Sequence, residues 1–454
     1  MEDITMRKIF QYIMLAVVTI VMASCTSDIE ETTATTGKNN VQLVVGEFPA
    51  FGDSQTRAIG TPDAGKTSWA VGDELILEIA KTSYGRHSAT FTYNGKSWEL
   101  TSGELVYLEG DPAYISHVYY APNYKWEAGE LFLKKGKVAG TDEYIEGKAI
   151  ITGNGETITV SFAEATRKYS RLRIATLPNE QITVDTEYFT PAGSSDMEQK
   201  GNYTLTSDEK GNAYLYGTFE NNSEVTVKYR EAALTTYTFS QATENAKSYA
   251  LDATVISANS AEEIKSAIEQ KVADGKTAIR LNLAPNAGTN EFMAIREAIK
   301  GAAPNDLGTI ELTIIGVETI PEEAFYKMLQ LKSVRMSDVK EIKKYAFKEC
   351  QYLTVVEAPS LNKLYSGAFK KCDQLSKLTF GPINYADERN WPIFEYITPN
   401  IDLILSDYQK EMIETDSYLY TAYNDRDYAG SDEHNSKNFL GREFKSITCR
   451  YPVE

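Results

Sequence analysis

The sequence has few of the residues on which metal sites and catalytic centres are usually built. Its 454 residues include three histidines and four cysteines, with no H-E-x-x-H and no C-x-x-C spacing, so the common zinc motifs are missing. No G-x-S-x-G sequence marks the serine nucleophile of an α/β-hydrolase. We therefore predict no catalytic residues, no metal and no cofactor. The 64 acidic residues leave one enzymatic alternative open, a glycoside hydrolase, because that chemistry needs only two carboxylates brought together in space.

Positive charge is also scarce. The chain has 46 lysines and arginines against 64 aspartates and glutamates, a net charge of −18 at pH 7. Phosphate groups would be repelled, which argues against nucleic acid as a partner. The deficit of positive charge is not uniform along the chain, because residues 309–381 contain 11 basic and 9 acidic residues and are locally near neutral.

No apolar run is long enough to span a bilayer comfortably. The run over residues 9–23 follows a short basic pair, as in a secretory signal. It ends in Met22-Ala23-Ser24-Cys25, which resembles a bacterial lipoprotein box. The resemblance implies that residues 1–24 are removed and that Cys25 is lipidated, which anchors an outer-membrane lipoprotein, predicted to lie at the cell surface. An ordinary secretory signal is the alternative. The polar residues 25–40 are predicted to form a flexible tether.

Two familiar chemical signals are present without their context. Residues 60–67 spell the phosphate-binding pattern G-x-x-x-x-G-K-[ST], but the following residues have the pattern of a strand, whereas phosphate binding needs a helix there. His117 lies in a predicted strand, and we expect it to be a paired side chain rather than a metal ligand. Neither signal predicts a site.

Residues 320–380 repeat with a period of 22. Apolar residues recur in six slots of three successive units, as is typical of a solenoid whose units bury their apolar edges against one another. The slots are Ile320, Ile342 and Leu364; Ala324, Ala346 and Ala368; Phe325, Phe347 and Phe369; Met328, Cys350 and Cys372; Leu331, Leu353 and Leu375; and Val334, Val356 and Leu378.

The pattern I-x-x-x-A-F-x-x-[C/M]-x-x-L-x-x-V resembles the BspA-type leucine-rich repeat of bacterial surface proteins. The resemblance implies a binding solenoid, which we place at residues 309–381. A helical cap is predicted over 260–308, beginning at a capping box of Ser260 and Glu263. A C-terminal cap is predicted over 382–454, in which the run at 401–406 resembles one further strand of the repeat and a strand near 438–447 closes the fold. Cysteine and methionine share one slot, so the slot cysteines are expected to be buried apolar side chains, with a disulfide as the minor alternative.

Residues 41–256 show no long amphipathic helix. About ten short alternating apolar runs follow one another between Gly, Asn, Asp and Pro turns, which predicts an antiparallel sandwich architecture. The length is generous for one sandwich, so two subdomains divided near residue 166 are expected. The predicted fold class is multidomain, with all-β sandwiches followed by a short α/β leucine-rich repeat solenoid that has a helical N-terminal cap.

Several short motifs of this half are similar to those of the fimbrillin family. They are Thr56-Arg57-Ala58, the S-W-A-V-G-D-E-L run at 68–75, the V-Y-Y-A-P run at 118–122, Ser161-Phe162 and Ser170-Arg171-Leu172. The resemblance implies tandem transthyretin-like β-sandwiches on a lipid anchor. It also implies cleavage at Arg57, which would remove residues 41–57 as a strand and let a strand of another subunit take its place. An ordinary exposed linker arginine is the favoured alternative for Arg57, because a C-terminal solenoid suits a stacked shaft poorly.

The strands of the repeat predict a ligand face. With Val334, Val356 and Leu378 pointing inward, period-two alternation turns their neighbours outward. The predicted face is Glu311, Thr313, Ser333, Arg335, Val355, Glu357, Lys377 and Thr379. This mixed surface suits a protein or glycan ligand. We interpret the chain as a non-catalytic surface adhesin. The alternatives are a fimbrial structural or accessory subunit that assembles by strand exchange with other fimbrial subunits, and a surface glycan-binding protein or hydrolase.

Overall fold

The described part of the chain is mostly β. The computed structural model describes residues 42–53, 65–81, 85–105, 114–152, 157–162, 167–230, 232–387, 392–406, 438–440 and 442–451, which form 31 strands and two helices. The predicted signal peptide, Cys25, the tether and Arg57 lie outside these residues. Neither of the two described helices is long and apolar enough to cross a membrane.

The first sheet has seven strands around one core. The strands are β1 (Gln42–Val45), β3 (Glu74–Lys81), β4 (Gly85–Tyr93), β5 (Trp98–Gly103), β6 (Tyr114–Tyr120), β9 (Ile145–Thr152) and β10 (Thr157–Ser161), in the spatial order β1-β10-β9-β6-β3-β4-β5. Alternate residues such as Leu75, Leu77 and Ile79 face the core, to which both edge strands also contribute, so the sheet curves around its own core. A hairpin of β7 (Tyr124–Glu127) and β8 (Glu130–Leu133) packs on its outer face.

Trp69 closes this core. Its ring centre lies 4.9 Å from that of Phe48, 5.1 Å from that of Trp98 and 5.3 Å from that of Tyr120. The turn that follows places Gly72 at a φ of 92°, a conformation that glycine adopts without steric cost. The chain then enters β3, so the tryptophan and the turn together fix the start of this strand.

The second sheet has eight strands. They are β2 (Gly52–Asp53), β11 (Ser170–Ala175), β12 (Gln181–Pro191), β13 (Glu198–Thr206), β14 (Asn212–Phe219), β15 (Glu224–Tyr229), β16 (Ala232–Thr238) and β17 (Lys247–Asp252), ordered β16-β15-β12-β14-β11-β17-β2 with β13 beside β12. Most pairs in both sheets are antiparallel, as predicted. The pairs β1–β10, β11–β17 and β17–β2 are parallel, because these partners are distant in the sequence and long connections can join parallel strands.

Residues 42–53 tie the two sheets together, since β1 is an edge strand of the first and β2 an edge strand of the second. Phe51 lies in the chain between these two strands. The centre of its ring is 3.8 Å from Cζ of Arg167 and 4.7 Å from Cζ of Arg171. Arg167 also donates to the carbonyl of Pro49 at 2.8 Å and to the carboxylate of Glu143. Both partners of this ion pair are buried, so removing either one would cost about 3–5 kcal/mol.

The solenoid contains two parallel sheets. The broad sheet is β18 (Ile256–Ala258), β19 (Ala278–Leu283), β20 (Ile310–Ile315), β22 (Leu331–Arg335), β24 (Val355–Ala358), β26 (Lys377–Phe380), β28 (Asp402–Ser406) and β31 (Ser446–Tyr451), in that order. The narrow sheet is β21 (Thr319–Ile320), β23 (Glu341–Ile342), β25 (Lys363–Tyr365) and β27 (Tyr385–Asp387). Leu312 pairs with Val334, Val334 with Val356 and Val356 with Leu378, which confirms the predicted register.

The first helix begins where the sequence predicts. Helix α1 (Ala261–Ala273) starts after Ser260, whose hydroxyl accepts the Glu263 N–H at 3.2 Å, and helix α2 (Thr289–Ala302) buries Phe292 on the solenoid core. The region predicted as a helical cap also contains β19, which joins the broad sheet next to β18. The cap is therefore the first part of the solenoid itself.

A stack of phenylalanine rings runs through the solenoid. The ring centres of Phe325 and Phe347 are 5.1 Å apart, and those of Phe347 and Phe369 are 5.4 Å apart. Phe394 continues the stack at 5.7 Å, so a fourth unit follows the three predicted ones. The predicted boundary at 381 leaves this unit in the C-terminal cap, because Phe394 comes 25 residues after Phe369 instead of 22. Phe292 of α2 closes one end of the stack at 5.6 Å.

The C-terminal cap differs from the prediction in detail. Residues 438–447 were expected to form the closing strand, but in the structure β29 (Asn438–Phe439) and β30 (Arg442–Glu443) make a short hairpin. The closing strand is β31, which pairs with β28. Between the hairpin and this strand, Phe444 ends the ring stack with its centre 5.5 Å from that of Phe394.

The two slot cysteines are buried and free, which confirms the prediction for their slot. The thiol of Cys350 donates to the Phe325 carbonyl and that of Cys372 to the Phe347 carbonyl, both at 3.0 Å. Burial raises the pKa of the Cys350 thiol to about 12 and raises the pKa of Cys372 well above its ordinary value. Both thiols therefore remain protonated in the folded chain.

Replacing Phe347 by alanine should destabilise the solenoid by about 3–5 kcal/mol, because it removes the central ring of the stack and leaves a cavity. Urea denaturation followed by circular dichroism measures the loss. Phe132→Ala is the control, since that ring is 44% exposed and its removal should change stability by less than about 1 kcal/mol. Equal losses for the two variants would contradict a stack that carries the stability of the solenoid.

Iodoacetamide at pH 8 should modify one cysteine in the folded chain of residues 26–454. The partly exposed Cys449 should react, while the buried Cys350 and Cys372 should not, because alkylation needs an accessible thiolate. Intact mass spectrometry counts the adducts, and the same reaction in urea supplies the fully modified reference. Two or three adducts on the folded protein would show that the slot thiols are accessible.

Candidate ligand-binding face

The predicted face residues form two rows across the broad sheet. Pairing between neighbouring strands aligns the members of each row, at the spacing of about 4.8 Å that separates adjacent strands. The first row is Glu311, Ser333, Val355 and Lys377, and the second is Thr313, Arg335, Glu357 and Thr379. The structure therefore brings all eight residues onto one surface, which we call the broad face.

Three of the eight residues are nearly inaccessible, contrary to the expectation that all point to solvent. Thr313, Ser333 and Thr379 are 3%, 6% and 8% exposed. In the two rows each of these short side chains lies between longer neighbours, as Thr379 does between Glu357 and Ile404. The accessible part of the broad face is therefore made by its long charged side chains.

The charged side chains of the broad face already pair with one another. Glu357 accepts from Nε of Arg335 at 3.0 Å and lies 3.9 Å from Nζ of Lys377, and Lys332 donates to Glu311 at 2.8 Å. These groups are about a third to a half exposed, so each pair contributes only about 0–1 kcal/mol to stability. A ligand could therefore replace these partners at little energetic cost.

The second β-sheet covers the N-terminal end of the broad face. Ile315 of β20 is buried within the core of the second sheet. Arg280 of β19 donates to the carbonyl of Leu234 at 2.5 Å, and burial lowers the pKa of its guanidinium. The two domains thus share a packed junction, and Thr313, which pairs with Arg280, lies beside it. The open part of the face begins at β22.

The broad face extends further towards the C-terminus than the sequence indicated. Lys377 pairs with Asp402, and Asp402 with Ser446. The carboxylate of Asp402 accepts from the Ser446 hydroxyl at 2.6 Å and from Nζ of Lys445 at 3.1 Å, and these hydrogen bonds lower its pKa. The run over 401–406 reads as a strand in the sequence, so extending the two rows onto it would have found Asp402.

Lys66 and His117, from the two signals without context, each lie beside a carboxylate. Lys66, from the phosphate-loop-like stretch, donates to Asp73 at 2.5 Å and to the hydroxyl of Tyr120 at 2.6 Å, and the next element is strand β3. His117 lies with Nδ1 3.3 Å from a carboxylate oxygen of Glu78. Among the described residues, no group of three or more His, Cys, Asp or Glu side chains is placed to hold a metal ion. His434 and the end of the chain from 452 lie outside that part.

A family model settles the type of the repeat. Residues 307–410 match the BspA type leucine-rich repeat region in six copies. They form a BspA-type repeat region. The match begins at the partial unit before β20 and ends after β28, and so includes the unit of Phe394 that lies beyond the predicted boundary at 381. Comparison with curated protein sequences gave no match.

Two solved structures resemble parts of the chain. A leucine-rich repeat protein of T. pallidum shares 17% identity over 21% of this chain and 58% of its own, with a TM-score of 0.17. The chain thus matches a little over half of that protein. The minor pilin GBS52 of Streptococcus agalactiae shares 10% identity over 47% of this chain and 94% of its own, also with a TM-score of 0.17. Similarity this low carries no conclusion about function.

Proposed function

We propose that the chain is a non-catalytic, lipid-anchored surface protein that binds a protein or glycan ligand through the broad face of its BspA-type repeat region. The observation that supports this most directly is the open cluster of charged side chains, Arg335, Glu357 and Lys377, on a parallel sheet. Their mutual pairing is weak enough to be exchanged for ligand contacts. A solenoid offers an extended surface of this kind as its main functional feature.

The anchor and the identity of the β-domains are part of the same proposal. The lipoprotein-like sequence ending at Cys25 supports attachment to the outer membrane, at the cell surface, and the polar residues after it support a tether. The motifs around Trp69 and the V-Y-Y-A-P run support fimbrillin-type, transthyretin-like sandwiches for residues 41–256, with a division near residue 166. In this proposal the β-domains hold the repeat region away from the membrane.

Replacing Arg335, Glu357 and Lys377 together by alanine should abolish ligand binding and leave the fold intact. These half-exposed side chains contribute little to stability, but they supply the charges that a ligand would meet. A panel of immobilised matrix proteins and a glycan array identify the ligand for the unmodified chain of residues 26–454. The affinity of the variant for that ligand should then fall at least about tenfold, which corresponds to about 1.4 kcal/mol.

A matched control for this variant lies on the β7–β8 side of the first sheet. Lys125, Glu127 and Lys134 also comprise two cations and one anion, and they are likewise exposed. Their combined replacement by alanine should leave binding unchanged. If the broad-face variant binds as tightly as the unmodified chain, the broad face is not the ligand site.

One observation favours the alternative of a fimbrial subunit. Strands β1 and β2 are edge strands of two different sheets, so losing residues up to Arg57 would expose the edges of β10 and β17 together. Such free edges accept strands from other chains. The opposing observation is the buried Arg167, whose contacts with Pro49 and Phe51 would be broken by the loss.

Light scattering before and after treatment with an arginine-specific protease distinguishes the two roles. A binding protein should stay monomeric after loss of residues 26–57, whereas a fimbrial subunit should grow into high-mass polymers. Arg57→Gln is the control, since it removes the cleavage site without changing the described strands. Polymer growth that requires Arg57 would replace our proposal with the fimbrial one.

A further inference from the structure

The narrow sheet presents a second outward surface, on another side of the solenoid from the broad face. Ile320, Ile342 and Leu364 point inward from its strands and are fully buried. Side chains on either side of these positions therefore point outward. We call the surface made by Glu341, Lys343, Lys363, Tyr365 and Tyr385 the narrow face.

The part of the narrow face around Glu341 carries a local excess of positive charge in a chain whose net charge is −18, whereas Asp387, which pairs with Tyr365 at the far end of the sheet, carries the opposite charge. One carboxylate, that of Glu341, accepts from Nζ of Lys343 at 2.5 Å and from Nζ of Lys363 at 2.6 Å. These hydrogen bonds lower the pKa of Glu341 and raise the pKa of each lysine, so all three groups are charged at neutral pH. Two ammonium groups around one carboxylate leave a net charge of +1. Each ammonium group has three N–H donors, so each of the two lysines can donate a hydrogen bond to a further anionic partner.

Two tyrosine rings continue this surface. Nζ of Lys343 lies 4.4 Å from the ring centre of Tyr365, and the rings of Tyr365 and Tyr385 are 5.6 Å apart at an angle of 53°. Tyr385 is 38% exposed. Successive strands place ammonium groups and aromatic rings side by side at intervals of about 4.8 Å. The broad face, by contrast, has no aromatic residue among its eight members.

The geometry points to the narrow face as a binding site for a linear acidic polysaccharide whose sugars carry carboxylates. Uronate groups would bind Lys343 and Lys363, while the apolar faces of the sugar rings would lie on Tyr365 and Tyr385. A linear polymer suits the face because the lysines and tyrosines recur along one direction. An acidic polypeptide would use the lysines but would gain little from the rings, so the tyrosines favour a glycan.

Three probes test the proposal on the chain of residues 26–454. Polygalacturonate should bind, and the binding should weaken as salt is raised, because exposed charges are screened. Methyl-esterified polygalacturonate keeps the sugar rings without the charge and should bind at least about tenfold more weakly. Poly-L-glutamate keeps the charge without the rings and should also bind more weakly. Isothermal titration calorimetry measures all three.

Variants identify the surface. Lys343→Gln with Lys363→Gln should weaken polygalacturonate binding about tenfold or more, and Tyr385→Ala should weaken it without changing its salt dependence. Lys125→Gln with Lys134→Gln is the control, because it removes two exposed lysines beside the β7–β8 hairpin and should have no effect. Circular dichroism checks that each variant is folded.

The outcomes separate this proposal from that for the broad face. Poly-L-glutamate binding as tightly as polygalacturonate would overturn the glycan assignment in favour of an acidic polypeptide. Undetectable polygalacturonate binding, or binding that the lysine and tyrosine variants of the narrow face leave unchanged, would overturn the narrow face as its site. The alanine variants of Arg335, Glu357 and Lys377 leave the narrow face intact, so failure of either proposal can be recognised independently.

Discussion

The phenylalanine stack is the interaction on which the rest of the solenoid depends. Each unit contributes one ring, and a ring is covered only when the unit on either side is present. The stack therefore sets how the chain must begin and end. At one end a helix supplies Phe292, and at the other a turn supplies Phe444. Both sheets, and both faces they present, keep their register because this central row keeps its spacing.

The backbone around the stack is held in an unusual conformation. Glu323, Tyr345 and Gly367 have φ values near 60°, and so do Lys327 and Glu349. A left-handed conformation costs non-glycine residues about 1–2 kcal/mol each. Each of the four non-glycine residues donates its N–H to a carbonyl of the next unit, so the strain is offset by a hydrogen bond between units. Each unit is thus strained locally and satisfied only by its successor.

The sequence predicts the regular part of this molecule well, because a repeated environment selects the same kind of residue in each unit. The slot that accepts Met328 and Cys350 is an example. Prediction from the sequence fails where the regularity of the repeat ends. Three extra residues before Phe394 hide the fourth unit, and the low exposure of Thr313 depends on neighbours from other strands. The Arg167–Glu143 pair has no sequence signature, since its partners are 24 residues apart in the irregular segments that precede β9 and β11. The type of the β-domains and the anchor at Cys25 stay predictions.

The junction between the second sheet and the solenoid has a mechanical consequence. Only residues 253–255 separate β17 from β18, a connection that spans roughly 14 Å when fully stretched, and Ala253 is itself buried in the core of the second sheet. Because Ile315 packs into the same core, the repeat region cannot rotate freely relative to the second sheet. A pulling force on a molecule bound to the solenoid would be transmitted directly to the hydrogen bonds of the β-domains, and the solenoid and the second sheet would move together.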